Sequence, residues 1–180
     1  HASLLEVPED RWVRLANPQT EDWPVLRPSL LPGLLQSLRR NVERQAESVR
    51  LFETGKVYSR DASGVRERTH LAGVLYGPLS PAHWKASKEK TGIFEAKTIL
   101  ADLLSGVPGV EWTTQAGEEG FAGENLLLPG SRVFIRSASC ILARLGILHP
   151  KLARAWEIDR EQPAVFELDL ELLALKGSPS

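Results

Sequence analysis

Methionine is absent from the 180 residues, and cysteine occurs once, as Cys140. A lone cysteine excludes an internal disulfide, so the fold must rest on its core, and a reducing, cytoplasmic setting is expected. With His1 where a starting methionine would stand, the chain reads as an excised piece of a larger protein, and His1 is compatible with a vector remnant. Long apolar runs are missing, which argues against a membrane-spanning helix, and no signal-peptide pattern opens the chain. An excess of either charge is missing too: 22 Lys and Arg stand against 23 Asp and Glu, for a net charge of -1. That balance argues against a dedicated nucleic-acid or membrane surface, which needs clustered positive charge. What is present suits one globular domain, with 42% apolar and 25% charged residues. A chain of this size buries on the order of 70% of its unfolded surface and needs no covalent staples.

Residues 1–28 read as extended or irregular, because Pro8, Pro18, Pro24 and Pro28 each bias the preceding residue away from helix. Ser29 is placed to cap a helix, and Pro32 falls in its first turn, where a missing N–H is harmless. Leu31, Leu34, Leu35, Leu38 and Val42 recur as one helical stripe, with Arg39, Arg40, Glu43, Arg44 and Glu47 on the wet side. Two strand-like runs, 49–59 and 69–77, flank a turn-rich stretch at 60–64 and predict an antiparallel hairpin. Both alternating faces of the second run are apolar, so that strand is expected to be central and covered. A surface loop over 78–92 follows, then a helix over 93–104 that buries Ile93, Ala96, Leu100 and Leu103. A short strand at 110–112 leads into an acidic, glycine-spaced loop at 116–124. Strands at 132–137 and 140–146, a short helix at 149–156 and a last strand over 164–173 complete the chain. The elements come in runs rather than strict alternation. The expected class is therefore α+β, with a largely antiparallel sheet flanked by helices.

Candidate chemistry is thin. Gly117, Gly120 and Gly123 are spaced G-x-x-G-x-x-G, but Glu118, Glu119 and Glu124 would repel a phosphate, so a loop is the better reading. Glu167, Asp169 and Glu171 stand two apart, a pattern compatible with acid–base catalysis or a metal. Phe166, Leu168, Leu170 and Leu172 alternate with them as the buried face, so the carboxylates are expected to point to water. His1, His70, His83 and His149 are scattered, with no cysteine beyond Cys140, which disfavours zinc. His149 before Pro150 suits a helix start. Arg39, Arg40 and Arg44 could meet RNA, yet the interleaved Glu43 and Glu47 suit an exposed ion-pair face better.

One longer pattern is specific. NPQTEDWPVLRPSLLPGLLQSLRRN at 17–41, VRLFETGKVY at 49–58, LAGVLYG at 71–77, IFEAK at 93–97, LGILHPKL at 145–152 and VFELDLELL at 165–173 follow one another in order. In these blocks the chain resembles the bacterial phenylalanyl-tRNA synthetase beta subunit over nearly its whole length. The likeness loosens at 128–132, with Leu128 where the family has histidine. It implies a class II synthetase-like core domain with no active site of its own. A helix and strand equivalent to class II motif 1 would precede His1, so part of the domain edge is expected to be missing. Active class II synthetases meet the charge of phosphoryl transfer with two arginines. One follows the strand equivalent to 52–58, and one sits in a late G-x-G-x-x-x-R motif. Here Ser59 follows Tyr58, and the glycine-rich motif does not occur. Arg60 is the one remaining candidate for the first arginine, and a solvated turn residue is the better reading of it. No catalytic, cofactor-binding or metal-binding residue is assigned.

The resemblance further implies that residues 1–175 form one non-catalytic unit and that 176–180 begin a linker to another domain. Such a unit would build the interface with the catalytic alpha subunit, in a heterotetramer that charges tRNA(Phe) with phenylalanine. ATP and magnesium would belong to that parent assembly, with no cofactor of the fragment's own and no membrane partner. The expected contact surface is Trp23, Leu26, Arg27, Leu30 and Leu31. Two other readings stay open: a divergent ATP-dependent ligase with its own nucleotide site, and a tRNA-binding module with steeply salt-dependent affinity.

Overall fold

The computed structural model describes residues 11–14, 25–78, 92–115, 121–138 and 140–177. The leucine stripe forms α1, Leu31–Glu43, which buries Leu31, Leu34, Leu35, Leu38 and Val42 as its spacing requires. Its cap lies one residue later than expected. Leu30 holds the N-cap position without a side-chain bond, while Ser29 Oγ accepts from Leu31 N at 3.2 Å.

The hairpin strands are β1, Val49–Asp61, and β2, Gly64–Tyr76, paired in register from Val49↔Tyr76 to Asp61↔Gly64. After them come α2, Ile93–Leu103, then β3, Val110–Thr113, β4, Val133–Ser137, and β5, Cys140–Ile147. The chain closes with α3, Pro150–Ala155, β6, Ala164–Asp169, and α4, Leu170–Gly177. The six strands run in the order β1-β2-β6-β5-β4-β3, each antiparallel to its neighbours. The class is α+β, as the patterning implied. Nearly all of the expected loop at 78–92 lies outside the described residues.

Two further expectations fail. Leu103 is exposed and Leu104, just past the end of α2, is buried in its place. The stretch expected as one strand over 164–173 breaks at Asp169. Its Oδ1 accepts from the backbone N–H of Glu171 at 3.0 Å and of Leu172 at 2.9 Å, which caps a new helix. The following Leu-Glu-Leu-Leu-Ala-Leu consists of strong helix formers, so α4 forms and extends into the stretch expected as linker.

Each face of the sheet carries its own core. On the first, α1 and α3 cover Val49, Val57, Ala72, Val74, Tyr76 and Val165. On the second, α2 and α4 cover Leu75, Ile135, Ala143, Leu145, Phe166 and Leu168. β2 and β6 are thus buried on both sides. Among the described residues, no helix is long and apolar enough to cross a membrane.

Candidate functional site

Strand register assembles a charged belt on the sheet face beneath α1. On β6, Val165 faces α1, so Glu167 and Asp169 face that way too. Pairing sets Glu167 between Ala72 of β2 and Arg144 of β5, and sets Asp169 opposite His70. The carboxylates expected to meet water therefore point into the protein: Glu167 is 0% exposed and Asp169 2%. The alternation was read correctly, but both faces of this strand are covered. Glu171, in α4, is exposed.

Every oxygen of Glu167 is engaged. Oε1 accepts from Leu30 N at 3.1 Å and from His70 Nδ1 at 3.2 Å. Oε2 accepts from Ser29 Oγ at 2.9 Å and from the Arg144 guanidinium at 2.8 Å. A carboxylate under the start of α1 is favoured by the partial positive charge of the helix end. Arg144 also donates to the carbonyl of Ala122 at 2.7 Å, and the Phe121 ring lies 5.3 Å from its guanidinium and 5.2 Å from the His70 ring. Asp169 accepts from Arg68 at 2.7 Å and faces His70 Nε2 at 3.8 Å, an ion-pair distance. At the sheet edge, Arg27 crosses Gly55 and pairs with Glu53 at 2.6 Å, also donating to the Lys56 carbonyl at 2.9 Å. A Cβ at Gly55 would stand 2.3 Å from that guanidinium, so a larger residue there would push the end of the Arg27 side chain aside.

These pairings govern titration. Burial would lower the His70 pKa, but its pairing with Asp169 and Glu167 outweighs burial and raises it to about 9. Burial would raise Glu167, but the Arg144 charge and the His70 bond hold it at about 2; Asp169 is held at about 2 against burial by His70, Leu172 N–H and Arg68. The raised His70 stabilises the fold fully below its unfolded value of 6.5, and that contribution is lost as pH rises through about 9. The lowered carboxylates stabilise above their unfolded values of 4.5 and 3.8, and their contribution is lost as pH falls toward about 2. Urea unfolding across pH should show the highest midpoint between about 4.5 and 6.5, with a decline on both sides. A midpoint that stays level from pH 6.5 to 9 would contradict this assignment of His70.

The belt does not fit a polyphosphate. Its cations are matched by buried carboxylates, and the leucines of α1 lie over the same face. Ser59 and Arg60 stand exposed near the hairpin turn. Of the glycine-spaced loop, Gly117 and Gly120 lie outside the described residues, and Gly123 is buried. His1 and His83 also lie outside them; His149 caps α3, accepting from Lys151 N at 3.2 Å. Arg39 pairs with Glu43 at 2.8 Å and with Glu157 at 2.7 Å, as an ion-pair face would.

The expected contact surface is divided. Trp23 lies outside the described residues, and Leu26 and Arg27 are half-buried. Leu30 and Leu31 are fully buried in the core under α1, which removes both from any surface this chain presents. Leu31 belongs to the stripe, and Leu30, at the N-cap position of α1, packs into the same core. Exposed apolar side chains stand elsewhere: Phe52 on β1 is 78% exposed and Phe94 on α2 80%. The Arg50–Glu95 pair, at 3.2 Å, ties the start of α2 to the strand that carries Phe52.

Comparison with known proteins gives a consistent result. The family model described as the phenylalanyl tRNA synthetase beta chain CLM domain matches residues 1–170. The phenylalanine–tRNA ligase beta subunit of Novosphingobium aromaticivorans is 39% identical over 169 residues, covering 90% of this chain and 20% of that protein. That of Syntrophotalea carbinolica is 33% identical over 168 residues, covering 91% and 20%. The chain thus spans about a fifth of the length of these curated relatives. Among solved structures, a pyrrolysyl tRNA synthetase, PylSc of Desulfitobacterium hafniense, superposes with a TM-score of 0.66. It is 21% identical, and the match covers 97% of this chain and 56% of that one, which shows a shared fold.

Proposed function

The chain belongs to the phenylalanyl-tRNA synthetase beta chain CLM domain family, and on that premise we propose that it is a non-catalytic assembly module. It supports the catalytic alpha subunit in the ATP-dependent charging of tRNA(Phe) with phenylalanine. The observation that carries this reading is the closed sheet face: a carboxylate, Glu167, fills the start of α1, and the nearby cations are already paired. Transition-state phosphates need fixed, unmatched cations, and Ser59 stands where the first arginine would be expected. ATP and magnesium are assigned to the parent assembly, and residues 1–175 to this one unit.

Contact with the alpha subunit is assigned to the surface the chain leaves apolar. Exposed aromatics such as Phe52 and Phe94 are the side chains that anchor interfaces, with Leu26 and Arg27 retained from the extended segment. The catalytic alternative is tested by calorimetric titration of the chain with magnesium–ATP. No saturable heat is expected at millimolar nucleotide. A saturable isotherm that disappears in Arg60→Ala would overturn the non-catalytic reading.

A further inference from the structure

Glu167 is bound the way a protein binds a ligand. Four donors converge on it from three parts of the fold: Ser29 and Leu30 at the start of α1, His70 on β2 and Arg144 on β5. A single buried ion pair needs one partner. Here both oxygens are saturated, by an ammonium-free set of one guanidinium, one imidazole, one hydroxyl and one backbone N–H. Arg144 is itself fully buried and keeps one donor in hand, since its Nε has no hydrogen-bond partner. Phe121 closes over Arg144 and His70, and Ala72, directly across from Glu167, adds little bulk beside it.

We propose that this is a carboxylate receptor held shut by its own occupant, with the Glu167 side chain standing where a small free carboxylate would bind. Beneath the leucines of α1, the anion position is thus filled by one side chain rather than lacking donors. Removing that side chain leaves a receptor for a two-carbon acid, because Glu→Ala deletes the equivalent of one acetate. This inference rests on the four contacts alone and does not depend on any partner subunit.

The test is thermal melting of the full 180-residue chain carrying Glu167→Ala, with acetate as the probe and acetamide as its neutral counterpart. The substitution should lower the melting temperature by about 10 °C, since it strands a buried guanidinium and imidazole. Acetate should restore it saturably, by about 4 °C at ten times its dissociation constant. Acetamide should restore nothing, and Glu167→Gln, whose receptor stays filled, should not respond to acetate beyond the unaltered chain. Equal responses to acetate in Glu167→Ala, Glu167→Gln and the unaltered chain would overturn the proposal. If Glu167→Ala is unfolded without ligand, the same titration is read by near-ultraviolet circular dichroism. Recovery of the folded signal with acetate supports the receptor; no recovery at concentrations the unaltered chain tolerates overturns it.

Discussion

Arg144→Met should destabilise the chain by about 3 kcal/mol, a drop of roughly 10 °C in melting temperature. The reason is what remains behind. Methionine approximates the aliphatic stem of arginine and keeps that part of the packing, but the guanidinium over Phe121 is gone and Glu167 loses its 2.8 Å partner in a site with no access to water. Three donors still hold the carboxylate, which keeps the effect toward the lower end for a broken buried pair. The carbonyls of Phe121 and Ala122 also lose their donor, so the loop should loosen from the sheet. A second substitution identifies the cause. In Arg144→Met with Glu167→Gln the stranded charge is gone, and part of the loss should return, by more than about 1 kcal/mol of coupling. Chemical denaturation of the two single variants and the double variant measures that coupling directly. Strict additivity would show that the pair is incidental to stability.

Gly77→Ala should be at least as damaging, about 4 kcal/mol or more. Gly77 has φ +75°, where an L side chain is strained, and an added Cβ would stand 1.8 Å from the carbonyl oxygen of Glu47. That oxygen is backbone and cannot rotate away, so the end of β2 or the turn before β1 must move. Both termini of the hairpin meet there. Gly130→Ala is the control: its φ of +86° carries the same conformational strain, but no atom lies within 4 Å of the new Cβ. It should lose only about 1–2 kcal/mol, the strain alone. Comparable losses at the two glycines would mean that the contact with Glu47 is easily relieved.

Local patterns and distant partners were not equally readable in the sequence. The stripe of α1 and the two-faced apolar run of β2 announce themselves, because helical and strand periodicities act over a few residues. Glu167 does not. Its alternation with Phe166 and Leu168 resembles a wet face, and its partners lie 23, 97 and 138 residues away in the chain. One signal did point there: Arg144 interrupts Cys-Ile-Leu-Ala-Arg-Leu-Gly-Ile, a run apolar enough to be buried, and a buried arginine demands a carboxylate. His70, at the head of the β2 run, demands the same. The helix after Asp169 was also readable, from an acidic cap followed by leucines and an acidic first turn, had the two-residue alternation not continued through it. Leu30 and Leu31 show the converse error. They were expected in a docking segment, yet both pack into the chain's own core, Leu31 within the α1 stripe and Leu30 at its N-cap.

The most direct test of the central claim is titration of the folded chain with purified catalytic alpha subunit, followed by analytical sedimentation. Saturable association is expected, weakened at least tenfold by Phe52→Ala or Phe94→Ala, with melting temperatures unchanged because both rings are exposed. No association by a chain shown to be folded would contradict the assembly role assigned to these residues.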